Sequence, residues 1–272
     1  MLRGASADAL AELADKVGSG GTLAETATVG DHLFAVAGLL RADPSLRRVA
    51  TDASLAGEQK QGLVRRLLEG KIDDGALSIV VEAVDRRWTR STDLPNALER
   101  LSEVALVKSV GAASEKLADE LFWVAQTVSG NPEVRDALSN PARTIEDRAG
   151  LVETLFGGRV SPATVALTKQ ALAGTYGTVA TALETYREVA ASVRGEAVAT
   201  VRVVQPMDDD DRERLRSALA KQYGREIHLN EIIDPEVMGG IRVEIADDVI
   251  DGTVVSRLDD ARRRLAGSAS RN

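Results

Sequence analysis

The sequence predicts a mainly α protein in which two tandem six-helix-type bundles are followed by a small C-terminal α/β module. Apolar residues recur at helical spacing over the first 195 positions, and one segment of this region occurs twice. Alternating stretches rich in β-branched residues begin only after Gly195. These observations divide the chain into a first bundle (residues 1–110), a second bundle (111–195) and an α/β domain (196–272).

The bulk composition is that of a folded protein and excludes several classes of function. The chain has 272 residues, of which 44% are hydrophobic and 28% charged, with a net charge of -8. Because nucleic-acid affinity rests largely on neutralising phosphates, this charge argues against a nucleic-acid partner. Acidic residues at positions 8, 12 and 15 argue against a signal peptide, and no apolar run reaches the ~20 residues of a membrane span. We therefore expect no direct membrane insertion.

The repeat is the most informative feature of the first 195 residues. Residues 31–76 align with residues 119–164 without a gap, at a constant offset of 88. The alignment contains 13 identities in 46 positions, whereas roughly 3 are expected at a chance match rate of ~6%. The identities fall on apolar and turn positions, among them Phe34/Phe122, Pro44/Pro132, Leu67/Leu155 and Gly70/Gly158. The region is therefore a duplication, and we call its halves the first and second copy.

Each copy is predicted to be helical throughout. Asp43-Pro44 and Asn131-Pro132 are typical helix starts, because proline fits the first turn of a helix. Gly70 and the Gly157-Gly158 pair are typical helix ends. Two more helices follow in each copy, the last of them around 94–107 and 178–193. The boundary between the bundles is predicted between Val107 and Glu115.

The last 75 or so residues predict a small α/β unit. Strands are predicted at 197–204, 226–233 and 240–245, with a tight turn at 247–248 leading into 249–250. Asp208 to Asp211 open a helix that Gly224 closes, and a final helix is predicted to start at Thr253. Four consecutive aspartates also suggest a cation site. Carboxylates in a first turn interact favourably with the helix dipole, which is the interpretation we favour.

Residues able to carry catalysis are scarce. The two histidines, His32 and His228, are predicted to be solvated surface residues, and without cysteine a zinc site has no ligands. The glycines at 57 and 62 have the spacing of a phosphate loop, but Leu63-Val64 stand where Lys and Ser/Thr are needed. Trp88 and Trp123 fit either interface anchors or core fillers, of which the second is favoured in so aromatic-poor a chain. We predict no catalytic residues, no cofactor and no metal.

The segment Ile232–Leu265 resembles the C-terminal signature of the delta subunit of bacterial ATP synthases, the relative of mitochondrial OSCP. The resemblance extends back through the second copy, whereas the first copy is an addition typical of a long form of the family. Within the signature, two glycines are expected to let the chain enter a strand, and Thr253 to cap the last helix. The signature consists of Asp234, Pro235, Met238, Gly239, Gly240, Ile250, Asp251, Gly252, Thr253 and Leu258.

The resemblance implies a non-catalytic part of the stator, or peripheral stalk, of the ATP synthase. Such a subunit holds the catalytic head against rotation, so that proton transport is coupled to ATP synthesis. By analogy the second bundle binds the N-terminal helices of the alpha subunits, and the α/β domain binds the b subunit. The protein would lie on the cytoplasmic face of the cell membrane, attached through its partners. The role of the first bundle stays open. The candidate interface residues are Phe122, Trp123, Leu151, Leu155 and Phe156.

Overall fold

The fold is mainly α with a small C-terminal α/β module, as predicted. A computed structural model describes residues 2–19, 21–194, 197–224, 227–235, 237, 240–245 and 248–251. The chain forms two compact units, Met1–Val193 and Arg194–Asn272. The predicted boundary near residue 110 lies inside the first unit. Whether each copy is a domain of its own stays a prediction.

The first unit consists of eleven α-helices and one 3-10 turn among its described residues. Two helix starts follow the sequence prediction: the Asp43 side chain accepts hydrogen bonds from the backbone of α3, and the Asn131 side chain does the same for α8. The helices are α1 (Ala5–Lys16), α2 (Leu23–Ala42), α3 (Pro44–Ala50), α4 (Gly57–Leu68), α5 (Asp74–Asp85), α6 (Asp93–Lys108), α7 (Ser114–Gly130), α8 (Pro132–Ser139), α9 (Ile145–Phe156), α10 (Pro162–Ala171) and α11 (Val179–Arg194), with the 3-10 turn at Gly111–Ala113.

Helix α6 belongs to both copies. It is the sixth helix of the first copy, and at the same offset of 88 residues it aligns with α1, through Ala9/Ala97, Leu10/Leu98 and Leu13/Leu101. Residues 97–99 and 101–107 are all buried. One side of α6 packs along α2, and it also contacts α7 and α10 of the second copy. The two copies therefore share one helix and one continuous hydrophobic core.

Polar groups on α6 join the copies inside this core. Glu99, 1% exposed, is ion-paired with Arg41 of the first copy and accepts hydrogen bonds from the backbone N–H (3.0 Å) and hydroxyl (2.9 Å) of Thr175. Fully buried Glu103 accepts from the Tyr176 hydroxyl at 2.6 Å and from Arg100 at 2.9 Å. We call this cluster, consisting of Arg41, Glu99, Arg100, Glu103, Thr175 and Tyr176, the joint.

The second unit is a four-stranded sheet with one described helix. The sheet order is β2-β1-β3-β4; β1 pairs in parallel with β2 and antiparallel with β3, and β3 pairs antiparallel with β4. Alternate residues of β1, namely Ala199, Val201 and Val203, are buried with Leu219 of the helix. The predicted helix at 253–265 lies outside the described residues. The elements are β1 (Ala197–Val203), α12 (Asp209–Tyr223), β2 (Ile227–Ile233), β3 (Ile241–Ile245) and β4 (Asp248–Asp251).

The ends of α12 follow the sequence prediction. The Asp208 carboxylate accepts from the backbone N–H of Asp211 at 2.7 Å, which satisfies one of the free donors of the first turn. Gly224 adopts a left-handed conformation with φ of 68° and ends the helix. Asp208 therefore caps the helix, and Asp209, Asp210 and Asp211 lie in its first turn.

Candidate partner-binding surface

The most exposed aromatic ring of the candidate interface is Trp123. It lies on α7 beside the stripe that this helix buries, and 44% of the residue is exposed. Its ring meets the ring of Phe156 on α9 edge to face, with the centroids 5.8 Å apart. The second copy therefore presents a half-exposed indole that packs against the buried Phe156 ring. Such a residue is a typical anchor for a partner protein.

The remaining candidates on α9 contribute less surface. Phe156 is 1% exposed and belongs to the core, so it supports Trp123 and offers no contact of its own. Leu151 and Leu155 are half-buried and pack against the same core. Ile145, at the start of α9, was not among the candidates but is 45% exposed. Its place in the first turn, just after the cap Thr144, was the available signal.

Phe122 is covered by an arginine from the last helix of the second copy. The guanidinium carbon of Arg187 lies 4.5 Å from the centroid of the Phe122 ring. Burial lowers the pKa of Arg187, which is 1% exposed, and the carboxylates of Glu184, Asp119 and Glu188 partly offset this. Phe122 is therefore engaged within the bundle.

The first copy has no equivalent of the exposed indole. Ala35 stands at the position of Trp123, and Leu68 at that of Phe156. The first copy's tryptophan, Trp88, is 8% exposed, and its Nε1 donates to the carbonyl of Ala83 at 2.8 Å. The prediction of a core filler is thus confirmed for Trp88 and wrong for Trp123.

The structure corrects the prediction for His32. This residue is half-buried, and its Nδ1 accepts a hydrogen bond from the backbone N–H of Asp73 at 3.0 Å. It therefore satisfies a donor at the start of α5. Glu120, its equivalent in the second copy, accepts from Ser161 N–H at the start of α10, at 2.8 Å. The repeat alignment contained a signal for this contact, because it aligns His32 with Glu120 and also aligns the two helix starts, Asp73 and Ser161.

The described part of the signature shapes the α/β domain. Asp234 follows β2; its backbone N–H donates to the Val203 carbonyl at 2.8 Å, and its carboxylate lies 3.7 Å from Arg202 on β1. Pro235 then turns the chain. Gly240 has a φ of 91°, a conformation that side chains rarely adopt, so it needs glycine for backbone reasons. Ile250 and Asp251 lie in β4. Met238, Gly239, Gly252, Thr253 and Leu258 lie outside the described residues.

Within the described residues, no group of three or more histidine, aspartate or glutamate side chains is placed to hold a metal ion. Over the same residues, no helix combines the length and hydropathy of a membrane span.

Comparison with known proteins places the chain among ATP synthase subunits. The family model of the ATP synthase delta (OSCP) subunit matches residues 101–265. The ATP synthase subunit delta of Nocardioides sp. is 51% identical over 268 residues, which is 98% of each chain. The subunit delta of Kineococcus radiotolerans is 44% identical over 90% of each chain. That of Thermobifida fusca is 38% identical over 98% of this chain and 100% of its own.

Proposed function

The chain belongs to the ATP synthase delta (OSCP) subunit family, and from this premise we propose that it is a non-catalytic stator subunit of the peripheral stalk. In this role it links the alpha subunits of the catalytic head to the b subunit, and it keeps the head from turning with the rotor. Rotation driven by protons is then coupled to ATP synthesis. The protein would be a peripheral component of the membrane-bound complex.

The observation that carries this proposal is the match over nearly the whole length of relatives named ATP synthase subunit delta. The similarity covers 98–100% of the length of these relatives, so the first copy is part of what they share with this chain. The duplicated form is therefore expected to act as one stator part.

The second copy is the proposed contact for the alpha subunits. A partner helix binds best where a few large side chains anchor it, and exposed Trp123 on its Phe156 support offers such an anchor. Ala35 at the equivalent place in the first copy offers none. The α/β domain is the proposed contact for the b subunit, where Val249 on β4 is 55% exposed.

Single-cysteine cross-linking in the assembled complex tests these contacts. The chain has no cysteine, so one introduced thiol reports one position. We expect Trp123→Cys to cross-link to an alpha subunit and Val249→Cys to the b subunit. Ala35→Cys is the matched control, because it occupies the repeat-equivalent position, and it should give no alpha product.

Two results would count against different parts of the proposal. Equal cross-linking of Ala35→Cys and Trp123→Cys to alpha would remove the assignment to the second copy. Failure of the wild-type chain to co-purify with alpha, beta and b subunits would remove the stator role itself.

A further inference from the structure

The link between α10 and α11, residues 172–178, lies over the buried joint. Four of its seven residues are exposed and the other three are half-buried. Thr175 and Tyr176 attach the link to α6 by hydrogen bonds to the carboxylates of Glu99 and Glu103. A surface segment with few buried apolar contacts can open locally while the helices on either side stay folded. Opening of the link would bring water to both carboxylates.

The link fits closely over two carboxylates that have little room for two charges. Glu99 and Glu103 lie one turn apart on the same face of α6, and they are 1% and 0% exposed. A side chain at Gly174 would collide with the Glu99 carboxylate. Like charges at this spacing repel each other, and burial disfavours the charged form of each carboxyl. The geometry therefore favours a proton on one member of the pair while the link is closed.

Glu103 is the member of the pair that titrates near neutral pH. Burial raises the pKa of its carboxyl to about 7, although Arg100 and the Tyr176 hydroxyl act to lower it. Burial and the charge of Glu103 raise the pKa of Tyr176 and of Tyr186, so both tyrosines stay neutral. The charged and titratable groups that face Glu103 from the packed elements are Arg41 on α2, Glu99 and Arg100 on α6, Tyr176 in the link and Tyr186 on α11.

We propose that the link is a proton-dependent switch at the joint, closed over Glu103 while this carboxyl is protonated and locally open when it is ionised. The closed link keeps water from the carboxyl and so favours its neutral form, whereas the open link hydrates it and favours the charged form. By linkage, the proton and the closed link therefore stabilise each other. Opening loosens the contact between α6 and the second copy. The inference goes beyond the proposed stator role and does not rest on it.

The first copy has an equivalent link that lacks the buried pair. Residues 84–90, where α5 ends and the chain leads towards α6, are its counterpart at the offset of 88. Ala11 and Asp15 on α1 stand at the positions of the two buried glutamates, and both are exposed. Trp88 replaces the tyrosine of the link and donates to the Ala83 carbonyl of α5. This segment therefore serves as a control within the same molecule.

Amide hydrogen exchange of the full-length chain, followed by NMR and corrected for the intrinsic exchange rate at each pH, tests the proposal. The Thr175 N–H, which donates to Glu99, should lose about tenfold of its protection between pH 6 and 8, because Glu103 titrates near 7 when covered and near 4.5 when hydrated. It should also be less protected than the N–H of Val124 in the core of α7, since the link opens without global unfolding. The Arg87 N–H, its counterpart in the first copy, should keep a constant protection.

Two variants separate the proton from a merely structural role. Glu103→Gln should abolish the pH dependence at Thr175, whereas Glu115→Gln, at an exposed carboxylate of α7, should behave like the wild type. Tyr176→Phe removes a hydroxyl that favours the ionised form, so it should keep the dependence and move its midpoint to higher pH. This midpoint decides the matter if Glu103→Gln does not fold. An unchanged dependence in Glu103→Gln, an unmoved midpoint in Tyr176→Phe, or equal protection of Thr175 and Val124 at every pH would overturn the proposal.

Discussion

The two copies share the hydrogen bond that satisfies the start of their fifth helix, and they differ in the residues exposed on their surfaces. His32 and Glu120 are chemically unlike, yet each accepts a hydrogen bond from the residue that begins the fifth helix of its copy. By contrast, Ala35 and Trp123 differ on the surface, and α1 is largely exposed where its equivalent α6 is buried. Satisfying a helix start constrains both copies, whereas a surface position is free to diverge. The difference separates residues that fold each copy from residues that join or extend it.

We expect the largest effect from a substitution in the joint. The joint is built on α6, and the equivalent helix α1 does not carry such a cluster. Glu99→Ala removes the partner of Arg41, whose side chain is 23% exposed, and leaves the Thr175 N–H unpaired. Breaking a fully buried ion pair on one side costs about 3–5 kcal/mol, and because Arg41 keeps some contact with solvent we expect a loss at the lower end, about 3 kcal/mol, measured as the free energy of unfolding in urea. Glu12→Gln on α1, which removes an exposed pair with Arg86, should cost under about 1 kcal/mol. Equal losses would mean that the joint does not hold the copies together.

The joint also predicts a pH dependence. Burial raises the pKa of Glu103 to about 7, against the opposing effects of Arg100 and Tyr176. The folded chain therefore holds this proton more tightly than the unfolded chain, whose glutamate titrates near 4.5. The stability that this group contributes is present below pH 4.5 and is lost as the pH rises to about 7, by up to about 3 kcal/mol.

Glu103→Gln isolates this contribution from that of other groups. The difference in unfolding free energy between wild type and variant, followed from pH 4 to 8, should shift in favour of the variant as the pH rises. A difference that is flat with pH would show that Glu103 keeps an ordinary affinity for its proton.

A smaller loss of unfolding free energy is expected when the side chains that accept a hydrogen bond at a helix start, Glu120 and His32, are removed. Glu120 accepts from Ser161 N–H and from the Thr164 hydroxyl; burial raises its pKa, but these hydrogen bonds outweigh burial and lower it overall. His32 accepts from one donor. We expect Glu120→Ala to cost about 1–3 kcal/mol of unfolding free energy and His32→Ala about 1 kcal/mol. The reverse order would indicate that the second copy does not depend on this contact.

The smallest effects should be the same in both copies. Gly70 and Gly158 end α4 and α9 with φ of 72° and 73°. Alanine at either position should cost about 1–2 kcal/mol by thermal unfolding. Gly62→Ala and Gly150→Ala, inside the same helices and facing open space, should instead stabilise the protein slightly. A different sign in the two copies would contradict their structural equivalence.

Local signals in the sequence were enough for most elements. Caps such as Asp43, Asn131 and Asp208, and the alternation of residues 197–204, predicted helices and strands to within one or two residues of the observed bounds. The double role of α6 was missed, because the compared segments, 31–76 and 119–164, do not reach it. The match of Ala9-Leu10 with Ala97-Leu98 at the same offset was the available signal.

The candidate site was harder to predict than the fold. Helical spacing placed Phe122 and Phe156 on suitable helices, but it does not reveal that Arg187 covers one and the core encloses the other. Such contacts depend on how helices pack, which no local pattern encodes.

Because neighbouring copies share a helix, the length added by each further copy is 88 residues. α1, α6 and α11 occupy equivalent positions in the repeat. If 88 residues are inserted with both ends of the insertion within one of these helices, the chain gains five helices, and the interrupted helix is shared by the two neighbouring copies. The addition is head-to-tail, so nothing in its geometry closes the series at two. At the other end of the series, α1 carries exposed Ala11 and Asp15 where α6 carries buried Glu99 and Glu103. Like the terminal repeat of a solenoid, α1 turns a stacking face into a hydrated end.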